Sequence, residues 1–267
     1  MDNVNKTLYI PLYGKSYVSK KGIILRDEKA EEIWAAEGFP LKGKSKSKWL
    51  AYYMGMRSAV FDRCLEEALE RMPGAVVLHI GCGMDSRISR VGHRGHLWFD
   101  VDFPEVIAQR KRYFEETDYY KMICGDLREK DWLVGLPGNE AIVVLEGVSM
   151  YVTPEQLKAA FENLYGRFDR VAILMDCYTE FAAKASRYKN PINDVGVTKV
   201  YGLDDPNRLP GFLQEREMTP QELIDQLQGM EKTIFRKLYA GKMASKMYRL
   251  YEFQGGMVSC FMQKTQP

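Results

Sequence analysis

The sequence predicts an α/β protein built on a doubly wound, mostly parallel sheet that ends in an antiparallel C-terminal hairpin. Short apolar runs alternate with segments whose apolar residues recur at helical spacing. This alternation is typical of parallel strands joined by right-handed helical crossovers. The tail has two further apolar runs, Met247 to Phe253 and Met257 to Met262, which flank Gln254-Gly255-Gly256 and so indicate the hairpin.

The segment from Val76 to Arg87 is the centre of this interpretation. Its apolar run leads directly into Gly81-x-Gly83, which predicts a buried strand, a tight turn and the start of a helix. Because glycine has no Cβ, such a turn lets a ligand lie against main-chain N–H groups. The pattern alone is a weak signal, since many strand-to-helix turns carry it for packing only.

The neighbours of this turn favour a cationic ligand over a diphosphate. A dinucleotide site needs a third glycine-like residue three positions after Gly83, and that position is Ser86. Asp85 would also place a carboxylate against a phosphate group. S-adenosylmethionine carries a sulfonium and an ammonium group, so the turn favours this methyl donor over a nicotinamide dinucleotide.

The other predicted elements follow in order along the chain. Apolar residues at helical spacing predict a helix over residues 49–72, and a short amphipathic helix is predicted over residues 27–36. Further helices are predicted over 104–116, after the second strand, and over 219–228, where a Thr-Pro pair introduces the helix. A Thr153-Pro154-Glu155-Gln156 capping box predicts one more helix, with Leu157, Phe161, Leu164 and Phe168 on its apolar face. Short apolar runs predict the strands after the first, over residues 97–102, 122–124, 141–145 and 171–175.

The chain is expected to form a single domain with four parts. These are an N-terminal helical cap (1–72), a cofactor-binding core (73–178), a lid insertion (179–211) and the C-terminal part of the sheet (212–267). The lid is inferred because its Lys, Asn, Asp, Pro and Gly residues interrupt the alternation of strands and helices. The lysine-rich segment 41–48 is expected to be a solvated loop, with a mobile flap near an anionic ligand as the alternative.

Composition excludes several classes of protein. The chain has 267 residues, 46% of them apolar, and its 38 basic and 36 acidic residues give a net charge of only +2, which argues against a nucleic-acid binder. The five cysteines and three histidines form neither a disulfide framework nor a convincing metal site. The N-terminal residues do not form an apolar signal segment, and no apolar run approaches the length of a membrane span. We therefore expect a cytoplasmic protein that has no membrane partner and binds no metal.

Three ordered motifs resemble the leucine carboxyl methyltransferase family. They are Gly81-x-Gly-x-Asp85-x-Arg87, Phe99-Asp100-Val101-Asp102-Phe103-Pro104-Glu105-Val106 and Glu146-Gly147-Val148-Ser149-Met150-Tyr151. Residues 11–15 and 56–58 are similar to its bacterial polyketide O-methyltransferase branch, and the resemblance fades after about residue 180. It implies a class I, Rossmann-like methyltransferase that binds S-adenosylmethionine and methylates an oxygen atom, often of a carboxylate.

The resemblance also assigns roles at the two polar ends of the cofactor. Lys15 and Arg57 match the residues that hold the carboxylate of its methionine part, and the planar guanidinium suits bidentate binding. Asp102, which ends the second strand, is expected to accept hydrogen bonds from the ribose hydroxyls. Asp102 could instead form a capping box with Glu105, and Asp100 could share or replace its role.

Three further residues are expected to face the cofactor. Asp126 would accept a hydrogen bond from the adenine amino group, and Leu127 would cover the adenine ring. Glu146 follows a wholly apolar strand, where a carboxylate needs partners. Arg87 and Tyr151 are candidates near the methyl acceptor, although Arg87 could simply pair with Asp85 and Tyr151 could pack under the next helix.

The expected acceptor is a small molecule of the polyketide type, although a protein acceptor and the oligomeric state are left open. A carboxylate, with a pKa of about 4, is ionised at neutral pH and needs no general base, whereas a phenol, at about 10, would benefit from one. No such base is evident among the motifs, which favours a carboxylic acid. Two alternatives are a module that binds the cofactor without turnover and an NAD-dependent dehydrogenase.

Overall fold

The computed structural model describes residues 5–189, 199–240 and 246–257. Five parallel strands lie in the first of these ranges, and their order along the chain is β1 (Val76–Ile80), β2 (Trp98–Asp102), β3 (Tyr120–Cys124), β4 (Glu140–Leu145) and β5 (Arg170–Tyr178). They are followed by β6 (Phe212–Arg216) and β7 (Tyr248–Gly255). Together they form one sheet in the order β3-β2-β1-β4-β5-β7-β6.

The helices pack on both faces of this sheet. They are α1 (Tyr9–Lys20), α2 (Glu28–Glu37), α3 (Lys48–Arg71), α4 (Arg87–Val91), α5 (Pro104–Arg110), α6 (Pro154–Arg167), α7 (Glu180–Lys189), α8 (Gln221–Ile224) and α9 (Gly229–Tyr239). Alternate residues of β1 belong to different cores: Val77 packs in the core beneath α1 and α3, whereas Leu78 packs in the core beneath α6. Burial of every β1 and β2 residue agrees with a parallel sheet covered on both sides.

The predicted fold class is confirmed. Strand β1 pairs in parallel with β2 on one side and with β4 on the other, so the direction of strand progression reverses between β1 and β4. In open α/β sheets, ligands bind at the carboxyl ends of the strands beside such a reversal. The topology therefore places a crevice at the ends of β1 and β4.

The antiparallel edge is confirmed, but its composition differs from the expectation. Strand β7 pairs antiparallel with both β5 and β6, and two helices, α8 and α9, lie between β6 and β7 in the chain, so this edge is not a hairpin closed by a tight turn. Residues 258–262 lie outside the described part of the chain. The sequence signal was missed because β6 is a short edge strand whose residues are only half-buried at alternate positions.

Two helix predictions also need correction. The helix after β2 ends at Arg110 rather than at residue 116, and the chain continues in turns with Phe114 still buried. Residues 219–228 form only the short helix α8, and a separate helix begins at Gly229, where φ is +52°. The capping box at Thr153 and Gln156 is confirmed, with both reciprocal hydrogen bonds formed.

Helices α1 and α3 pack unusually close together, which places their polar residues over the ends of the strands. A Cβ on Gly14 would lie 2.6 Å from Cβ of Met54, and one on Gly55 would lie 2.7 Å from Val18.

Residues 43–46 form a 3-10 turn, and the lysines at 42, 44 and 46 are exposed. The division into cap, core, lid and C-terminal part stays a prediction, and no described helix is long and apolar enough to cross a membrane.

Candidate functional site

A cavity of about 810 Å³ lies at the carboxyl ends of the parallel strands. Its volume is in the range of small-molecule and cofactor sites. Helices α1 and α3 contribute one side, and the loops that follow β1 to β4 contribute the other. The predicted residues in its wall are Lys15, Arg57, Gly81, Gly83, Asp102, Asp126, Leu127, Glu146 and Tyr151.

The turn after β1 has the geometry that its glycines predict. Gly81 and Gly83 have φ angles of +66° and +50°, a region that residues with a Cβ rarely adopt. A Cβ on Gly81 would lie 2.4 Å from Cγ2 of Val148. The turn thus exposes main chain to the cavity, where a bound group can approach it without meeting a side chain.

Asp102 holds this turn from the neighbouring strand. Its carboxylate accepts hydrogen bonds from the main-chain N–H of Gly83 at 2.7 Å and of Phe103 at 2.8 Å. Burial raises the pKa of the Asp102 carboxyl group, and these hydrogen bonds oppose that rise. The alternative capping box with Glu105 is not formed, because α5 is capped at Phe103 without a side-chain hydrogen bond.

Asp100, the alternative to Asp102, does not line the cavity. Its side chain is fully buried away from the cavity, where it pairs with Arg110 at 2.9 Å and with His79 at 3.1 Å. Burial alone would raise the pKa of Asp100, but Arg110 and then His79 hold it at about 2. Although both acids project to the same side of β2, α5 covers Asp100.

Lys15 lies in a buried charge cluster beside the glycine turn. Its Nζ is 3.1 Å from Oδ1 of Asp85, which also accepts a hydrogen bond from Arg90 at 2.9 Å. Burial would raise the pKa of Asp85, but Arg90 and Lys15 hold it well below its usual range. The structure therefore brings a lysine and a carboxylate to the cavity as an ion pair.

Glu146 and Arg57 form the second ion pair of the cavity wall. Nε of Arg57 donates to Oε1 of Glu146 at 3.0 Å, and the Ser58 hydroxyl donates to the same atom at 2.9 Å. Arg87 donates to the other carboxylate oxygen. Burial would raise the pKa of Glu146, but Arg87 and Arg57 lower it to about 2, so the group is ionised at neutral pH.

Arg87 is not placed to meet an acceptor. It has no exposed surface, lies outside the cavity wall and binds Asp62 at 2.7 Å as well as Glu146. Its distance of 3.3 Å to Asp85 agrees with the pairing alternative. Tyr151 does line the cavity, at the end of the 3-10 turn Ser149–Tyr151, where Thr7 contacts its side chain.

Asp126 and Leu127 line the cavity where β3 ends. The Asp126 carboxylate accepts hydrogen bonds from both the main chain and the side chain of Arg128, each at 2.9 Å. Burial would raise the pKa of Asp126, but these bonds lower it. Leu127 is buried with one face toward the cavity, so an acid and an apolar surface lie side by side.

Sequence reasoning missed Asp176 and Tyr248. The carboxylate of Asp176, fully buried in β5, accepts hydrogen bonds from the Tyr248 hydroxyl and the Gly147 N–H, both at 2.7 Å, and lies 3.4 Å from Arg57. Burial raises the pKa of Asp176 to about 6, although Arg57 opposes the rise. The available signal was an aspartate directly after the apolar run 171–175, the same kind of signal that identified Glu146.

The raised pKa of Asp176 predicts a pH dependence of stability. Between pH about 4 and 6 the native state binds more protons at this site than the unfolded state, so its contribution to stability falls as pH rises through 6. Between low and neutral pH, the free energy of unfolding of Asp176→Asn is expected to decrease by about 1–3 kcal/mol less than that of wild type. Urea unfolding at pH 4.5 and 7.5 measures it, with the exposed Asp118→Asn as control. Equal pH dependence in wild type and Asp176→Asn would contradict the prediction.

No metal centre is formed within the described ranges. No three His, Cys, Asp or Glu side chains there are grouped so that they could hold a metal ion. The described cysteines, Cys64, Cys82, Cys124 and Cys177, are all free thiols. The chemistry of the cavity therefore depends on its carboxylates, its guanidinium and ammonium groups, and its tyrosine hydroxyls.

Comparisons with known proteins show a family match. The sequence profile of the family described as leucine carboxyl methyltransferase matches residues 7–165, which is more than half of the chain. This range includes α1, α3 and the strands β1 to β4, and so nearly all of the residues that line the glycine-turn side of the cavity.

Curated relatives and solved structures are also similar to this chain. The tetracenomycin polyketide synthesis O-methyltransferase TcmP of Streptomyces glaucescens is 26% identical over 88% of this chain and 90% of its own length. The S-adenosyl-L-methionine-dependent methyltransferase dpfgK of Gibberella zeae is 27% identical over 66% of this chain and 65% of its own. A DUF574 family protein of Streptomyces avermitilis, 10% identical, shares the fold with a TM-score of 0.54 over 85% of this chain and 89% of its own.

Proposed function

Because this chain belongs to the leucine carboxyl methyltransferase family, we propose that it transfers the methyl group of S-adenosylmethionine to an oxygen atom of a small carboxylic acid. The resemblance seen in the three sequence motifs is confirmed, and the chain is a methyltransferase rather than a dehydrogenase. The observation that carries the proposal is the cavity at the strand reversal, with an acid at the end of β2, of β3 and of β4.

The cavity fits this cofactor in shape. At Gly81 and Gly83 the backbone is bare, and a Cβ at either position would meet Val148 or Leu8. We assign the methionine part of the cofactor to this turn, the ribose to Asp102, and the adenine to Asp126 and Leu127. Asp102 keeps lone pairs free after its two main-chain hydrogen bonds, since a carboxylate accepts about four.

The cavity also fits the cofactor in charge. The methionine part is a zwitterion, and the wall offers charges of both signs within one small region. Lys15 and Arg57 are assigned to its carboxylate, while Glu146 is assigned to its ammonium group. All three side chains are buried, so the effective dielectric is low and their interactions with an ion are stronger than in water.

When bound, S-adenosylmethionine supplies an activated methyl group for in-line displacement. The protein's residues must then align the acceptor oxygen and exclude water. A carboxylate acceptor is already ionised at neutral pH, so no residue has to remove a proton. We therefore assign Arg57 and Glu146 to binding and orientation and assign no general base. The polyketide named for the relative TcmP supports a small-molecule acceptor of that type here.

The proposed role of Asp102 predicts a loss of cofactor affinity. Asp102→Ala removes the acceptor of two ribose hydrogen bonds, so its affinity for S-adenosylhomocysteine is expected to fall by about 100-fold. Isothermal titration measures this loss, and thermal unfolding verifies that the variant is folded. The exposed Asp118→Ala is the control. Wild-type affinity in a folded Asp102→Ala protein would remove the ribose assignment.

Turnover is the test of the function itself. Release of S-adenosylhomocysteine is measured with a panel of aromatic and aliphatic carboxylic acids and a matched panel of phenols. Methylation of acids in preference to phenols is expected. If phenols alone react, the acceptor assignment is wrong. If the protein binds S-adenosylhomocysteine but methylates nothing in either panel, the alternative of a binding module is favoured.

A further inference from the structure

Besides Tyr151, four tyrosines line the cavity, and their rings form one connected group. They are Tyr53 of α3, Tyr178 of β5, Tyr239 of α9 and Tyr248 of β7, and we call them the tyrosine wall. Their rings are in contact: the centroids of Tyr53 and Tyr239 are 5.5 Å apart, and those of Tyr178 and Tyr248 are 5.0 Å apart. The wall therefore presents one continuous aromatic surface to a ligand.

Two hydroxyl groups in this wall have no partner among the described residues. The Tyr248 hydroxyl donates to Asp176 at 2.7 Å and accepts from Arg57 at 3.1 Å, which fixes its orientation. The hydroxyls of Tyr53 and Tyr239 make no hydrogen bond to any described residue, although Tyr53 is only 9% exposed. Neither hydroxyl is sealed inside the protein, so each can donate a hydrogen bond to a ligand that occupies the cavity.

Both hydroxyls are available as donors at neutral pH. Burial raises the pKa of Tyr53 and of Tyr239, so each phenol keeps its proton. A protonated tyrosine can donate one hydrogen bond to a carboxylate oxygen. The tyrosine wall can therefore hold an anionic acceptor without carrying a charge of its own.

The cations of the cavity are already paired. In the described cavity wall, the lysine and arginine side chains are Lys15, Arg57 and Arg128, and they pair with Asp85, Glu146 and Asp126 respectively. Lys15 and Arg57 are also assigned to the carboxylate of the cofactor, which leaves no free cation in this wall for a second carboxylate. Transfer of a methyl group from a sulfonium to a carboxylate cancels two charges, so the transition state is less charged than the bound reactants. Neutral donors suit this reaction, because an unpaired cation would stabilise the reactants more than the transition state.

An apolar opening lies next to the tyrosine wall. Leu238 and Met247 both line the cavity and yet are 55% and 40% exposed. Leu238 lies at helical spacing from two more exposed apolar residues of α9, Ile234 and Met230. This surface continues from the cavity into solvent, so a ligand held at the wall can extend along it.

We propose that Tyr53 and Tyr239 bind the carboxylate of the acceptor, and that its apolar body leaves the cavity past Leu238 and Met247. The acceptor class is then a carboxylic acid on a large apolar ring system, and this inference rests on the proposed function. One carboxylate oxygen forms the bond to the methyl carbon as the carbon–sulfur bond breaks. The electron pair stays on sulfur, the products are an ester and a thioether, and no proton moves.

The first test removes the two hydroxyls from the full chain. For Tyr53→Phe and Tyr239→Phe, both kcat/KM for anthracene-2-carboxylic acid and its affinity in the S-adenosylhomocysteine complex are expected to fall by about tenfold. Affinity for S-adenosylhomocysteine alone should not change. Tyr119→Phe, at an exposed tyrosine outside the cavity, is the matched control. Wild-type values for both variants, or no binding of the acid by wild type, would overturn the proposal.

The second test concerns the apolar opening. Affinity of the wild-type complex with S-adenosylhomocysteine is expected to rise from benzoic to 2-naphthoic to anthracene-2-carboxylic acid, since each ring covers more apolar surface. Leu238→Ser should reduce that increase, whereas Val134→Ser, at an exposed residue outside the cavity, should not. An equal increase in Leu238→Ser would overturn the assignment of the opening.

These outcomes separate the acceptor site from the function. A protein that binds the aromatic acid through Tyr53 and Tyr239 but never methylates it contradicts the proposed function and supports the site. A protein that methylates the acid equally well after both tyrosines are changed to phenylalanine supports the proposed function and overturns the site.

Discussion

Replacing Arg57 with alanine is expected to weaken the binding of S-adenosylhomocysteine by more than about 100-fold and to lower the free energy of unfolding by about 3–5 kcal/mol. Arg57 is 5% exposed and lies 3.0 Å from Glu146 and 3.4 Å from Asp176. Its removal leaves both buried carboxylates with less positive charge nearby, and it removes the guanidinium group assigned to the carboxylate of the cofactor. Isothermal titration and urea unfolding measure the two effects separately.

Arg57→Lys tests whether the planar guanidinium group is needed in addition to the positive charge, and Arg63→Ala is the control. Arg57→Lys keeps the cation but cannot contact Glu146 and Tyr248 with separate nitrogens, so intermediate losses are expected for both measurements. Arg63→Ala, on the same helix, removes only an exposed pair with Glu222 and should change stability by less than about 0.5 kcal/mol. If Arg57→Ala is destabilised but binds with wild-type affinity, Arg57 is structural only.

The location of the site could be predicted because parallel strands gather their carboxyl ends at one edge. Asp102 ends a predicted strand, Asp126 and Glu146 each follow one, and the structure places all three in the wall of one cavity. Gly81 was recognisable because a strand that turns directly into a helix needs a positive φ there. In each case the signal is local in the sequence, and the topology of the sheet brings these residues together in space.

Pairings between distant segments could not be predicted in the same way. The burial of Arg87 depends on Asp62 of α3 and Glu146 beyond β4, which lie 25 and 59 positions away. The tyrosine wall is a stronger case, because Tyr53 and Tyr239 come from helices that no motif connects. Which charged or hydroxyl group faces a ligand is decided by these long-range contacts, and a single sequence does not reveal them.

Asp100 provides the sharpest contrast with Asp102, two residues away on the same strand. Asp100→Asn is expected to lower the free energy of unfolding by about 3–5 kcal/mol, because fully buried Arg110 would lose its charged partner. Affinity of the folded protein for S-adenosylhomocysteine should fall by no more than about tenfold. This smaller effect is expected because Arg110 also donates to the Gly83 carbonyl at 3.0 Å and so supports the turn.

The destabilisation should itself depend on pH. The pKa of Asp100 is depressed to about 2, so its contribution to stability is present above the ordinary value near 4 and is lost as pH falls through 2. Urea unfolding should therefore show a large difference between wild type and Asp100→Asn at pH 7 and a smaller one near pH 3. Asp102→Ala should show the opposite profile, with a large loss of affinity and a modest loss of stability. If Asp100→Asn instead loses affinity as strongly as Asp102→Ala while keeping wild-type stability, the ribose site includes both acids, and burial beneath α5 does not separate their roles.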